Sequence, residues 1–443
     1  MPEFLERRYN PQSRTILSVI SLVSYVLTKV AVTVYAGGLV FQQVFGIKEL
    51  WGIDFFWIAA IGLVVLTALY TIFGGMKSVL YTSVLQTPIL LLGSLIILVL
   101  GFKELGGWDE MMRVCGAVTV NDYGDTMTNL IRSNDDANFP WLGALIGSAI
   151  IGFWYWCTDQ FIVQRVLSGK NEKEARRGTI FGAYLKLLPV FLFLIPGMIA
   201  FALHQKYIGA GGEGFLPMLA NGTANADAAF PTLVAKLLPA GVKGLVVCGI
   251  LAALMSSLAS LFNSSAMLFT IDFYKRFRPE TPEKKLVGIG QIATVVIVIL
   301  GILWIPIMRS VGDVLYTYLQ DVQSVLAPGI AAAFLLGICW KRTSAQGGMW
   351  GLIAGMIIGL TRLGAKVYYS NAGEVADSTF KYLFYDMNWL FFCGWMFLFC
   401  IIVVIVVSLA TEAPTAEKIQ GLVFGTATKE QKAATRASWD HWD

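Results

Sequence analysis

This chain of 443 residues is 56% hydrophobic and only 14% charged, whereas soluble globular domains carry about 25% charged residues, so the composition excludes a soluble protein. Its net charge of +4 shows no nucleic-acid footprint, and there is no Walker A pattern, so we expect neither nucleic acid as a partner nor nucleotide hydrolysis as an energy source. Six single cysteines and two histidines give neither a disulfide framework nor a zinc spacing, and we expect a protein that is not an enzyme.

Ten apolar stretches are each long enough to cross a bilayer as a helix. In chain order they are 15–45, 51–74, 78–102, 140–164, 178–203, 239–274, 286–308, 313–340, 345–365 and 388–410. A tight inner turn is predicted at Gly74–Lys77, between the second and the third. Lipid offers no partner to exposed backbone groups, and no stretch alternates like a barrel strand. We therefore predict an all-α polytopic membrane protein.

The basic residues fall mostly in alternate connecting segments, which by the positive-inside rule places residues 1 and 443 both in the cytoplasm. We predict a single transmembrane domain over 1–443 in the plasma membrane (the cell's inner membrane). A cytoplasmic loop at 1–14, an extracellular loop at 103–139 and a cytoplasmic tail at 411–443 complete it. Residues 1–14 look like a connecting loop with no apolar leader ahead of them, so we expect further helices to precede them.

The stretch Ile151–Arg165 combines aromatic, amide and carboxylate side chains. Sugar rings have apolar faces that stack on aromatic rings and hydroxyls that need fixed donors and acceptors, so this composition suits a polyol site. The alternative is an aromatic belt at the membrane interface, although a belt does not require a carboxylate or amides. The candidate residues are Trp154, Tyr155, Trp156, Asp159, Gln160 and Gln164.

Two lysines, Lys29 and Lys186, lie inside predicted spans, where an ionisable group is costly unless it faces a cavity or a partner. Lys186 is followed by Pro189 and Pro196, each of which frees a backbone carbonyl. Lys186 is therefore a candidate donor to substrate hydroxyls. A salt bridge with Asp159 is the alternative.

The segment Ala252–Asn263 carries small side chains and hydroxyls on one helical face. Hydroxyl and carbonyl oxygens are the ligands that a hard cation such as Na⁺ accepts at mid-membrane. Close helix packing would require the same small residues, so both interpretations stay open on the segment alone. The face consists of Ala253, Ser256, Ser257, Ser260 and Ser264.

In the stretch 313–340, polar residues precede a proline and a glycine. We predict a helix break at Pro328–Gly329, and such interruptions at mid-membrane are a pointer to a transporter site. The polar residues are Tyr316, Tyr318, Gln320, Asp321 and Gln323.

Several long motifs resemble those of the sodium/solute symporter family, specifically its sodium/glucose cotransporter branch. The resemblance extends over essentially the whole chain, and motifs of this length and order are highly specific. They are WYWCTDQFIVQR at 154–165, AYLKLLPVF at 183–191, NADAAFPTL at 225–233, ALMSSLASLFNSSAMLFTIDFY at 253–274 and LQDVQSVLAPGIAAAFLLGICWKR at 319–342.

The resemblance implies an inverted-repeat, LeuT-like transporter fold of two five-helix repeats, with Na⁺ as the coupling ion and a sugar bound at the midplane. About ten transmembrane helices would be present, while the family's first helices and its last helix would lie outside this chain. By position, Ala253, Ser256 and Ser257 match the family's sodium ligands. Tyr155 and its neighbour Trp156, Lys186 and Gln320 match the sugar-binding residues.

Three departures from the family pattern bear on substrate and coupling. Gly152 stands where the bacterial galactose-type pattern has an asparagine. Ser83 stands where the family's usual TDxxQ motif has its carboxylate. Ala259 replaces a threonine of members that move two Na⁺ per sugar, which favours one Na⁺ per cycle.

These observations predict sodium-coupled symport of a glucose- or galactose-like sugar by alternating access, with a small-molecule sugar or polyol and the lipid bilayer as partners. One alternative is a sodium-coupled symporter of inositol or another organic solute, because Gly152 alters the sugar pocket. An alternative of another class is a membrane sensor that binds a ligand without transporting it.

Overall fold

The structure is a computed structural model that describes residues 1–219, 222–311, 314–371 and 376–439, with side chains described except at residues 70, 72–80, 82, 85 and 309–311. It is almost entirely helical. In chain order the α-helices are α1 (Pro2–Arg8), α2 (Pro11–Ser24), α3 (Ala31–Phe45), α4 (Phe55–Leu105), α5 (Trp108–Gly116), α6 (Trp141–Phe153), α7 (Gln160–Leu167), α8 (Glu172–Leu185), α9 (Ile195–Gly209), α10 (Ala229–Leu237), α11 (Ala240–Met267), α12 (Lys275–Phe277), α13 (Glu283–Val311), α14 (Leu315–Cys339), α15 (Ala345–Asn371), α16 (Thr379–Lys381), α17 (Trp389–Ala410) and α18 (Lys429–Ala437).

Short irregular elements join or interrupt these helices. Among the described residues, five segments are π-helical, namely Tyr25–Val30, Trp154–Thr158, Val190–Leu194, Leu268–Tyr274 and Tyr382–Asp386. Two are 3₁₀ turns, Ala226–Ala228 and Ala416–Lys418. Strands β1 (Glu49–Leu50) and β2 (Ile53–Asp54) form an antiparallel hairpin, in which Trp51 and Gly52 take the positive φ values of a tight two-residue turn.

Within the described residues the predicted membrane spans are mainly helical, and the exceptions include the hairpin residues 51–54, the extended Asp159 and the turn at Lys186. Within them, nine helical segments are long and apolar enough to cross a membrane, and the stretch predicted at 51–74 is represented by the shorter apolar segment Phe55–Leu69. The predicted turn at Gly74–Lys77 is wrong, because α4 continues through it for 51 residues. Glycine permits a helix end without imposing one, and the first proline inside α4 comes only at Pro88.

The predicted break at Pro328–Gly329 is also wrong. Helix α14 runs unbroken from Leu315 to Cys339 with Pro328 inside it. The glycine serves close packing instead, since a Cβ on Gly329 would lie 3.0 Å from the Cα of Gly355 on α15. The two backbones touch there, which stabilises the helix that the proline weakens.

Unit 1 comprises Met1–Thr28, Ala137–Phe181 and Ser264–Asp443. Its centre is the packing of α14 against α15 and α17, with α6 and α2 against the same group. The fully buried guanidinium of Arg8 donates to the carbonyls of Gly337, Trp340 and Thr343, so it satisfies the C-terminal end of α14. The Tyr9 hydroxyl donates to the Ala333 carbonyl at 2.7 Å, which fixes α1 to the same helix.

Unit 2 comprises Lys29–Asp136 and Gly182–Asn263. Its apolar core is built from α4, α5, α9, α10 and α11, and includes Ile97, Cys115, Ile199, Leu233 and Val246. Glycines let α4 and α11 approach closely, because a Cβ on Gly93 would meet Val246 and a Cβ on Gly249 would meet Ile89. This packing brings the middle of α11 against the second half of α4.

Candidate functional site

The hydroxyl face of α11 lies in unit 2 from Ala253 to Ser260. Ser256 is buried with 6% of its surface exposed, while Ala253 and Ser257 are half-buried. The Ser256 hydroxyl lies 2.7 Å from the hydroxyl of Ser83 on α4 and forms a hydrogen bond with it. The departure from the family motif at Ser83 therefore lies directly beside a predicted sodium ligand.

The two interpretations of this face are compatible in the structure. Gly249, about two turns before Ser256, gives the close approach to α4 that the packing interpretation requires. The same approach brings the Ser83 and Ser256 oxygens together. A hydroxyl oxygen has two lone pairs, so oxygens of this kind can serve as cation ligands.

The donor chemistry on this face suits a monovalent hard cation. No three His, Cys, Asp or Glu side chains come together anywhere in the described part of the chain. An ion held here would be coordinated by neutral oxygens, those of Ser83, Ser256 and Ser257 and the Ala253 carbonyl. Such oxygens are the ligands of Na⁺ in transporters, whereas transition metals select imidazole or thiolate.

Further along α11, Ser264 belongs to unit 1 and has a different partner. The Gln164 amide on α7 donates a short hydrogen bond to the Ser264 hydroxyl, and both groups are buried. The serines of the predicted α11 face therefore have different kinds of partner. Ser256 pairs with another hydroxyl, while Ser264 is tied to an amide that sequence reasoning had placed in the polyol site.

The stretch predicted at 140–164 is interrupted at its polar motif. The π-helical segment Trp154–Thr158 follows α6, and the backbone then becomes extended at Asp159 before α7 begins. The Asp159 carboxylate accepts from the Phe161 amide at 3.1 Å and from the Tyr25 hydroxyl at 3.0 Å, so it caps the new helix. π-bulges of this kind occur frequently at functional sites.

Tyr155 and Trp156 lie within this irregular segment of unit 1. Their rings meet edge to face with centroids 5.0 Å apart, and Trp156 is 49% exposed. A half-exposed aromatic pair offers an apolar face to a ring-shaped ligand, so the geometry suits the predicted sugar contact. The segment also packs against α14, the helix that carries Gln320.

Gln320 in unit 1 donates from its amide to the Tyr316 hydroxyl at 2.9 Å, one turn earlier on α14. Its neighbour Asp321 is buried and forms ion pairs with Arg362 at 3.4 Å and Lys366 at 2.6 Å on α15. Arg362 is fully buried and also stacks over the Phe392 ring at 4.0 Å. The carboxylate beside Gln320 is therefore committed to a structural network.

Lys186 lies in unit 2 where α8 has ended, in a short turn before Pro189 and the π-helical segment Val190–Leu194. The backbone is thus irregular next to Pro189, one of the two prolines predicted to free a carbonyl. The side chain of Lys186 is exposed, although its position inside an apolar stretch suggested burial. The Asp159 carboxylate proposed as its alternative partner accepts from Tyr25 and caps α7 in unit 1.

Two tyrosines make contacts that were not predicted from the sequence, although Tyr318 was among the polar residues listed for 313–340. Tyr318 donates from its hydroxyl to the Leu27 carbonyl at 2.9 Å and accepts from the Trp304 indole at 2.6 Å. Leu27 lies in the π-helical segment Tyr25–Val30, whose displaced carbonyls need such donors. Tyr25 itself was not singled out, because one tyrosine in an apolar stretch carries no signal.

These features define a class: a multi-pass, helical membrane protein with polar residues inside its apolar stretches and a helix interrupted at Asp159, as in secondary transporters. Within that class the chain belongs to the sodium:solute symporter family, whose model matches residues 1–355. It is 36% identical over 97% of its length to the sodium/mannose cotransporter of Bos taurus, of which it covers 73%. It is 35% identical over 96% of its length to sodium/myo-inositol cotransporter 2 of Homo sapiens.

The chain spans 64% of that inositol cotransporter and 63% of sodium/glucose cotransporter 4 of Mus musculus, to which it is 34% identical. Among solved structures, a Na⁺-coupled sialic acid symporter in a substrate-bound, outward-open state superposes with a TM-score of 0.68 at 21% identity. The match covers 94% of this chain and 78% of that one. The inverted-repeat, LeuT-like fold expected from the sequence is thereby confirmed.

Proposed function

We propose that this chain carries out sodium-coupled symport of a sugar, glucose- or galactose-like, by alternating access. The observation that carries the proposal is the neutral oxygen cluster of α11 and α4, centred on the 2.7 Å pair of Ser256 and Ser83, in a chain of a sodium-symporting family. Relatives named for mannose, glucose and myo-inositol all take hydroxyl-rich rings, which supports a polyol as substrate.

In this proposal Na⁺ binds to the Ala253 carbonyl and the hydroxyls of Ser256 and Ser257. Bound Na⁺ would favour one arrangement of α11 and so prepare the sugar site, because a ligand shifts a conformational equilibrium by its differential affinity for the two states. The replacement of threonine by Ala259, which is fully buried, supports one Na⁺ per cycle.

The sugar would be held by Tyr155, Trp156, Lys186 and Gln320. The Tyr155–Trp156 pair supplies an aromatic face, and the Gln320 amide is already oriented by Tyr316. The exposed ammonium of Lys186 supplies donors to ring hydroxyls. Tyr155 would move aside for release of the sugar toward the cytoplasm.

The runner-up is a symporter of inositol, and Gly152 supports keeping it. A Cβ added at Gly152 would meet no atom within 4 Å, so a side chain such as the asparagine of the galactose-type pattern can start there without a clash at Cβ. Its absence removes one possible polar contact to a sugar ring. Gly152→Asn therefore adds a possible polar contact to the substrate at low steric cost. Its effect on uptake distinguishes a galactose-like sugar from inositol as the substrate.

We further propose that the protein resides in the plasma membrane with residues 1 and 443 in the cytoplasm. The loop 1–14, the outer loop 103–139 and the tail 411–443 would then be cytoplasmic, extracellular and cytoplasmic parts of one transmembrane domain. The distribution of basic residues supports this orientation. The outer loop contains helix α5, and the tail contains α18.

The test is uptake by the 443-residue protein reconstituted in vesicles, with radiolabelled glucose, galactose, mannose and myo-inositol offered separately. An inward Na⁺ gradient should drive accumulation of a sugar, and a choline gradient of equal size should not. Gly152→Asn should shift the preference toward galactose. Accumulation of inositol alone would establish the runner-up, and sodium-dependent binding without accumulation would establish the sensor.

A further inference from the structure

An apolar groove of about 600 Å³ lies in unit 1, a volume within the range of about 300 to 1,000 Å³ that small-molecule pockets occupy. Three segments line it, each part of a helix long and apolar enough to cross a membrane. They contribute Leu22 and Val26 of α2, Phe269 and Tyr274 of the π-helical segment, and Ile289 and Val296 of α13. Among the described lining residues, Tyr274 alone carries a polar side-chain atom.

One end of this groove is basic. Lys275 directly follows Tyr274, and Lys285 precedes Ile289 by one helical turn and so lies on the groove face of α13. The segment from 275 to 285 holds five basic residues, Lys275, Arg276, Arg278, Lys284 and Lys285, against the two acidic residues Glu280 and Glu283. All five basic side chains are exposed.

The start of α2, the polar end of the third lining helix, lies at the same basic end of the groove. Arg276 donates to the Pro11 carbonyl at 2.6 Å and to the Thr15 hydroxyl, at the start of α2. Thr15 precedes Leu22 by two turns and lies on the same face of α2. The nearby carboxylate of Asp272 shares Arg14 with Glu6, so these three side chains carry one net negative charge, which is less than the net positive charge of the loop.

We propose that unit 1 binds an anionic phospholipid here, with an acyl chain in the groove and its phosphate against Lys275, Lys284 and Lys285. An apolar groove with a single basic end complements a molecule that has an apolar chain and an anionic head. Basic residues at a membrane surface attract anionic headgroups, and the groove adds the burial of the chain. The site is independent of which solute the protein carries.

The test measures lipid binding to the purified 443-residue protein by native mass spectrometry. The probes are phosphatidylglycerol and phosphatidylcholine with identical acyl chains, and we expect phosphatidylglycerol to bind about tenfold more tightly. Lys275→Gln/Lys284→Gln/Lys285→Gln should abolish this preference. The matched control Lys170→Gln/Lys429→Gln/Lys432→Gln removes three exposed basic residues elsewhere and should keep it.

A second pair of variants tests the groove itself. Val296→Trp fills it from a half-exposed position and should weaken binding of both lipids about tenfold, since the acyl chain loses its site. Ile299→Trp, equally exposed on α13 but outside the lining, should leave binding unchanged. Unfolding temperatures confirm that each variant is folded. Equal effects of Val296→Trp and Ile299→Trp, or an undiminished preference in the lysine variant, would overturn the proposal.

Discussion

Two polar clusters inside this apolar chain are built in opposite ways. In unit 1, Asp321 lies between the charged partners Arg362 and Lys366, at 3.4 and 2.6 Å. In unit 2, Ser256 and Ser83 form a neutral pair at 2.7 Å. Both clusters join two long helices at a similar level of burial, but one consists of charges and the other of hydroxyls.

We propose that this difference distinguishes a structural cluster from an ion site. Buried charges must be neutralised by fixed partners, and the partners of Asp321 are already in place. A hydroxyl pair costs much less to bury and keeps oxygen lone pairs that an arriving cation can use. We therefore assign ion binding to the Ser256–Ser83 pair and a structural role to the charged cluster around Asp321. Four substitutions test this assignment, beginning with the largest expected effect.

Arg362→Met should destabilise the protein severely. It leaves the Asp321 carboxylate buried with Lys366 as its remaining ionic partner and removes the cation over Phe392. Breaking a buried ion pair from one side costs about 3 to 5 kcal/mol. Thermal unfolding in detergent measures the loss.

Lys366→Met is the matched control for Arg362→Met. Its side chain is 21% exposed, and Asp321 retains the fully buried Arg362, so we expect a smaller loss of stability. If Lys366→Met alters the sodium requirement of transport while stability is preserved, the charged cluster takes part in coupling and the comparison fails.

Ser256→Ala and Ser257→Ala should each raise the Na⁺ concentration for half-maximal uptake by about tenfold, as expected when a polar contact to a charged group is lost. Stability should change little. Ser94→Ala is the matched control, because Ser94 is a fully buried serine of α4 whose hydroxyl donates to the Leu90 carbonyl of its own helix. Unchanged sodium dependence in both α11 variants would contradict the assignment.

Ser83→Asp places a carboxylate beside Ser256, as the family's usual motif has at this position. An added negative charge near a bound cation should lower the half-saturating Na⁺ concentration by about three- to tenfold, with desolvation offsetting part of the Coulomb gain. Sodium titration of sugar uptake measures it. Ser83→Ala serves as the comparison, and we expect it to raise the requirement instead.

Asp125, in the loop predicted to be extracellular, is a carboxylate held mainly by hydrogen bonds, and the charge of Arg132 makes the smallest contribution. It accepts from the Ser133 amide at 2.7 Å and from Asn121 and Asn129, and these hydrogen bonds, led by that of Ser133, lower its pKa. Because the pKa of Asp125 is lower in the folded loop than in the unfolded chain, its ionised carboxylate stabilises the folded loop at any pH above the unfolded pKa. This stabilisation is lost as the pH falls through the pKa of the folded loop. The Ser133 amide should therefore lose hydrogen-exchange protection on acidification.

Asp125→Asn is the control for that titration. The variant should show weaker protection of Ser133 at neutral pH and little dependence on pH, because an amide does not titrate. A pH dependence that persists in Asp125→Asn would assign the effect to another group.

Much of the fold could be predicted because a bilayer restricts the options. Apolar stretches of about twenty residues must be helices there, and within the described residues each predicted stretch is mainly helical. Breaks were harder to predict. The Asp159 interruption forms because its carboxylate finds a backbone amide to cap and the Tyr25 hydroxyl to accept from, whereas Pro328 stays within a helix that Gly355 supports.

The sequence by itself determined the class of protein, the small hydroxyl-bearing face of α11 and the aromatic motif at 154–156, since these depend on local composition and spacing. Only the tertiary structure decided that Ser83 meets Ser256, that Asp321 is held by two cations of α15, and that Tyr318 supports the Leu27 carbonyl. These pairs join residues 41 to 291 positions apart. Such contacts depend on which helix faces approach each other. The spacing of residues within one helix does not show which other helix packs against it.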